Sequence, residues 1–151
     1  MTEGLPGGYN ELDRHDRMTE RLYYRDPGLL EFEATVINVG EEGERHYTVL
    51  DRSAFYPTSG GQLFDTGVLN GVGVIDVDEG PSEEVRHWTS SPAGPVGAQV
   101  RGTVNAWRRR MHRQQHTAQH ILSQTFVRLY GYEKVSVHLG DEYGAIELNV
   151  E

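Results

Sequence analysis

The feature that most constrains this chain is one stretch, Asn105 to Gly131, NAWRRRMHRQQHTAQHILSQTFVRLYG. It reads as a single long helix with a marked start and stop. Asn105 predicts an N-cap and Gly131 the residue just past the C-terminus. Ala118, Ile121, Leu122, Thr125, Phe126 and Leu129 recur at helical spacing and form one apolar stripe, the face expected to pack on a core. His112, His116 and His120 follow at i, i+4 and i+8. At roughly 100° per residue their row falls opposite the stripe, so they are expected to face solvent or a second compartment. Two histidines one turn apart can share a metal, and neutral imidazole is a common zinc ligand. A bare H-x-x-x-H also describes solvated histidines on a polar face, and the spacing alone leaves both open.

The chain has 151 residues, room for one ordinary domain or two small ones. It is acidic, with 23 Asp+Glu against 14 Lys+Arg, which argues against a general nucleic-acid coat. The charge is unevenly placed. Ala106 to Tyr130 holds Arg108, Arg109, Arg110, Arg113 and Arg128 and no acidic residue. Such a patch on an acidic body fits either a solvated helix end or a specific polyanion contact. Arginines in a first turn oppose the helix dipole, so helix stability does not explain them. There is no cysteine, which removes disulfides and thiolate ligands from the chain. No stretch is apolar enough to span a membrane and no signal pattern opens the chain, so a cytoplasmic protein is expected.

Residues 1–18 are polar and aperiodic and are expected to form a flexible tail. Residues 19–104 read as successive short strands: Leu30 to Val39, His46 to Asp51, Val68 to Asp78 with an Asn-Gly hairpin signal, Val85 to Thr89, and Ala98 to Val104. That spacing predicts a small antiparallel barrel or sandwich. His46 and His87 fall inside strands and read as ordinary pleat residues. Between the second and third strands lies AFYPTSGGQLFDTG, where Gly60-Gly61 permits a close backbone approach and Gln62 offers an acceptor and two donors. After the helix, Lys134 to Leu139 and Gly144 to Val150 read as two more strands, with Ser136 and His138 sharing a face by the period of two.

Three of these segments, in order and spacing, resemble the alanyl-tRNA editing family, the AlaX proteins and the editing region of alanyl-tRNA synthetase. AFYPTSGGQLFDTG resembles its F-Y-P-x-S-G-G-Q-x-x-D-x-G signature. NAWRRRMHRQQHTAQHILS resembles the opening of its editing domain, and SVHLGDEYGAIEL the strand pair that follows. The likeness covers about Thr19 to Glu151. It implies an α+β chain: a small antiparallel β-barrel like those of translation factors over 19–104, then, over 105–151, the first part of a zinc-binding editing domain. It implies His116 and His120 as two zinc ligands, Gln62 as a polar group at the editing cleft, and Ser136 and His138 on the strand lining the amino-acid pocket. Arg108, Arg109, Arg110 and Arg113 would meet tRNA phosphate. The implied reaction is hydrolysis of the ester on alanine tRNA mischarged with serine or glycine.

The sequence departs from that pattern in places. Phe64 stands where the family usually has glycine, Asn105 where it often has aspartate, and Thr58 where an acidic or small residue is commoner. The family completes its zinc site with a later C-x-x-x-H, absent here, so the stretch given is expected to hold two ligands and to edit little or not at all alone. Two rival readings stand beside this one. One is a non-catalytic tRNA- or translation-factor-binding barrel. The other is a folding unit that self-associates through the apolar stripe of its helix.

Overall fold

The computed structural model describes residues 18–59 and 63–150. The expected tail, Met18 excepted, and Gln62 lie outside the described residues. Six strands close into an antiparallel barrel in the order β2-β3-β7-β6-β5-β8. They are β2 (Glu31–Glu42), β3 (Arg45–Leu50), β5 (Gly67–Leu69), β6 (Val72–Glu79), β7 (Val85–Thr89) and β8 (Gln99–Val104). A short parallel pair, β1 (Glu20–Arg21) and β4 (Arg52–Ser53), lies apart from the barrel ladder.

The barrel follows from alternation. On β2 Phe32, Ala34 and Val36 point inward, and on β8 Val100, Gly102 and Val104 do the same. Leu50, Phe55, Leu69, Val74, Val77 and Val85 fill the remaining interior. Closure depends on the length of β2. Its first half pairs with β8 (Glu31↔Thr103 to Thr35↔Gln99), and its second half pairs with β3 (Val36↔Leu50 to Glu42↔Arg45). The β5–β6 turn is Asn70-Gly71, with φ of 49° and 79°, the two positive values that a two-residue hairpin of this type requires.

One residue separates β8 from α1 (Ala106–Tyr130). Asn105 is the N-cap: its side chain accepts from the Arg108 N–H at 3.0 Å, and its own N–H donates to Thr66 O at 2.8 Å. Gly131, at φ 68°, ends the helix and donates its N–H to Val127 O. Asn105→Ala is therefore expected to cost about 1 kcal/mol, read as a lower urea midpoint at unchanged slope. The antiparallel hairpin β9 (Lys134–Leu139) and β10 (Gly144–Leu148) then packs against α1. The α+β expectation, a closed barrel followed by one long helix and two strands, is borne out. Among the described residues no helix is long and apolar enough to cross a membrane.

Candidate functional site

The helix does not pack by the face its periodicity suggests. Ala118, Ile121, Leu122, Thr125 and Leu129 are exposed, and Phe126 is half-buried. The buried residues of α1 are Arg109, His112, Gln119 and Ser123. The expected core face is thus corrected: the hairpin covers a polar side of the helix, and the apolar stripe has no covering element among the described residues. Hydrogen bonds hold the polar side. Gln115 Nε2 donates to Gly140 O at 3.2 Å, and Gln119 Nε2 donates to Ser123 Oγ at 2.8 Å.

The histidine row divides accordingly. His112 is buried, against the expectation that all three face solvent or a second compartment, because it shares the helix face of buried Gln119 and Ser123. Burial, and then the nearby Arg108 cation, lower its pKa. His116 and His120 are exposed, and their Nε2 atoms converge to 3.1 Å with the rings close to perpendicular. Two nitrogens bound to one tetrahedral zinc stand roughly 3.3 Å apart. The pair therefore fits half of a zinc site. No cluster of three His, Cys, Asp or Glu residues that could hold a metal occurs among the described residues.

The first turn of α1 is fastened to the barrel by two arginines. Arg109 is buried and ion-paired with buried Asp65, its Nε 3.0 Å and its Nη2 2.5 Å from Oδ2. The same guanidinium donates to Pro27 O at 2.9 Å and to Ala54 O. Asp65 in turn accepts from the Tyr56 N–H at 2.8 Å, and its own N–H donates to Tyr56 O at 2.9 Å, so it pins both ends of the Tyr56–Asp65 loop. Arg108 donates to Phe64 O at 2.9 Å, lies over the Phe64 ring and pairs with Asp141 at 2.8 Å in the β9–β10 turn. It ties barrel, helix and hairpin together. Of the four arginines expected at phosphate, Arg108 and Arg109 are thus engaged within the chain, and Arg110 and Arg113 are exposed.

The hairpin places the other expected residues less directly. On β9 and β10, Val137, Leu139, Ile146 and Leu148 are half-buried or buried, while Ser136, His138, Ala145 and Glu147 are exposed. Alternation therefore puts Ser136 and His138 on the outer face of the hairpin, away from its sheltered side. Ser136 Oγ donates to Glu147 Oε2 at 2.8 Å. Gln62 lies outside the described residues, so the expected approach of its loop to the pair carries no distance.

No protein-family model matches the chain. Individual relatives do. It is 39% identical over 136 residues to an alanine–tRNA ligase of Archaeoglobus fulgidus, a match covering 87% of this chain and 14% of the ligase. It is 36% identical over 141 residues to the alanyl-tRNA editing protein AlaX-L of Pyrococcus horikoshii, covering 89% of this chain and 34% of that protein. With the alanyl-tRNA editing protein AlaX-M of Methanosarcina mazei the identity is 38% over 146 residues, covering 89% of this chain and 57% of that protein. These relatives support an AlaX-like editing region over most of the chain.

Some features of this AlaX-like chain escape a reading of residue types. The Asp65–Arg109 pair joins positions 44 apart in sequence. Its one trace in the sequence is the misfit of arginine in a first turn, taken above as a sign of polyanion contact. The charge pattern of the helix also sharpens in three dimensions. Arg21, Arg25, Arg45, Arg52, Arg86 and Arg101 of the AlaX-like barrel each lie within 4.0 Å of a carboxylate. Arg110, Arg113 and Arg128 have no such partner among the described residues. Trp107, in the same first turn, is 71% exposed.

Proposed function

We propose that this chain is the tRNA-facing part of a cytoplasmic hydrolase that removes serine or glycine from mischarged alanine tRNA. The observation that carries the reading is the exposed His116–His120 pair, its Nε2 atoms 3.1 Å apart, on a helix whose exposed Arg110 and Arg113 have no carboxylate partner among the described residues. The chain spans 14%, 34% and 57% of the three relatives, so the activity of a whole protein is inferred and not inherited.

In this reading His116 and His120 present neutral Nε2 lone pairs to a zinc ion, which when bound acts as a Lewis acid or orients the ester. Gln62 supplies a polar contact from the barrel loop. Ser136, oriented by Glu147, and His138 contribute polar groups to amino-acid recognition, since a site built to hydrogen-bond a hydroxyl discriminates well against a methyl. An aminoacyl ester is already reactive, so positioning and modest charge stabilisation suffice.

Two ligands make a weak zinc site, so this chain by itself is expected to bind tRNA, with affinity falling steeply as salt rises, and to hydrolyse little ester. The test is deacylation of serine-charged alanine tRNA with and without zinc, paired with tRNA binding at two salt concentrations and zinc binding by calorimetry. His116→Ala and His120→Ala should each abolish what zinc binding the chain shows. tRNA binding without zinc binding favours the non-catalytic barrel instead, and a chain that binds neither overturns the proposal.

A further inference from the structure

Along α1 runs a ridge, Trp107, Arg110, Gln114, Thr117 and Ile121, at alternating i+3 and i+4 steps and exposed throughout. Between the part of this ridge from Arg110 to Ile121 and Pro27, Gly28 and Leu30 lies a groove of about 670 Å³, also lined by Arg113 and Ala118, with Trp107 outside the lining and one helical step before Arg110. We propose that this groove is a path for single-stranded RNA, with Trp107 as a stacking platform for a base and Arg110 and Arg113 as phosphate contacts. The proposal deepens the tRNA reading above and rests on it.

Three observations converge on that occupant. The first is charge. In a chain of net charge −9, every described barrel arginine has a carboxylate within 4.0 Å, while Arg110 and Arg113 have none among the described residues. Exposed cations along one groove of an acidic body, with no carboxylate partner among the described residues, select a polyanion. The second is the exposed indole. A tryptophan left 71% in water, one helical step from Arg110, gives a base a face to cover, and base–aromatic stacking with adjacent arginines is how single strands are held without sequence preference. The third is the groove itself. Pro27, Leu30, Ala118 and Ile121 give it apolar walls, which suit unstacked bases better than the hydrated phosphates of a duplex.

Arg113, on the side of the groove nearer the histidine pair, precedes His116 by three positions, so about one turn of helix separates that edge of the groove from the first imidazole.

Fluorescence reads this directly, because the chain has two tryptophans and the other, Trp88, is only 3% exposed. Titration with a short single-stranded RNA, and separately with uncharged tRNA, should quench the red-shifted emission of Trp107. Trp107→Ala should weaken binding roughly 5- to 150-fold, the equivalent of about 1–3 kcal/mol of stacking, and Trp107→Phe should restore most of it. Arg110→Ala and Arg113→Ala should each lower the slope of log affinity against log salt by about 1. Binding with unchanged emission and no loss in these variants overturns the groove and leaves the tRNA reading standing. Failure of the unaltered chain to bind any RNA overturns both. Equal quenching by vesicles of anionic phospholipid or by a polyglutamate peptide would assign the groove to another polyanion and also overturns the proposal. Quenching without zinc binding or ester hydrolysis leaves the groove standing and removes the hydrolase.

Discussion

Arg109→Ala is expected to destabilise the chain by roughly 3–5 kcal/mol, the usual cost of removing one member of a buried ion pair. The cost has three parts. Asp65, 1% exposed, would keep a charge with its cation gone. Pro27 O and Ala54 O would each lose a charge-assisted donor. The helix start would then hang from the barrel by Asn105 and Arg108 alone. Urea unfolding checks this: the midpoint should fall while the slope stays constant. Asp65→Asn, which keeps an acceptor for the Tyr56 N–H, should cost less. A double-mutant cycle should return a coupling on the order of 1–3 kcal/mol, as expected for neighbours in one network. A loss below about 0.5 kcal/mol for Arg109→Ala, the size of an ordinary surface change, would show that the pair is not holding barrel and helix together.

Acid should weaken the barrel before most carboxylates protonate, through His87. Its imidazole is fully buried, with Nδ1 2.9 Å from Thr48 O and Nε2 2.7 Å from Ser53 Oγ. Thr48 O can only accept, so Nδ1 carries the proton, and Nε2 accepts from the Ser53 hydroxyl. Ser53 Oγ also accepts from the Phe55 N–H at 3.1 Å. Burial pushes the His87 pKa down from 6.5 to about 4, a shift that the bond to Thr48 O only partly opposes. Between those values the unfolded chain binds a proton that the folded chain does not. The stabilisation is thus complete above about pH 6.5 and is lost as the pH falls toward 4, by roughly 3 kcal/mol in total. Urea midpoints at pH 7.5 and 4.5 should differ accordingly. His87→Asn, which keeps a donor for Thr48 O, should show a smaller difference. A His87 imidazole nitrogen signal that titrates near pH 6.5 in the folded chain would sink the prediction.

The barrel was legible because its strands alternate cleanly. Phe32-Ala34-Val36 and Val100-Gly102-Val104 carry the period of two that a closed sheet imposes, and Asn70-Gly71 marks its hairpin. The helix ends were legible because Asn105 and Gly131 act locally. What escaped depends on neighbours distant in sequence. The stripe from Ala118 to Leu129 looks like a core face by spacing alone, but spacing cannot say which side a hairpin will cover. His87 passed for an ordinary pleat residue because only the fold supplies Ser53 and Thr48 around it. Of the expected site, the His116–His120 convergence followed from one turn of helix. The placement of Ser136 and His138 depended on which face of the hairpin meets the helix, and residue types do not encode that.

The double engagement of β2 has a kinetic consequence. The strand at residues 31–42 finds its first-half partner only at residues 99–104, so the ring cannot shut until about sixty further residues have been made. Pairings of such long sequence separation are slow to form. On the ribosome the nascent chain therefore carries open sheet edges until β8 has been made. The helix, which begins two residues after the closing strand, takes its bearings from a barrel that has only just come together.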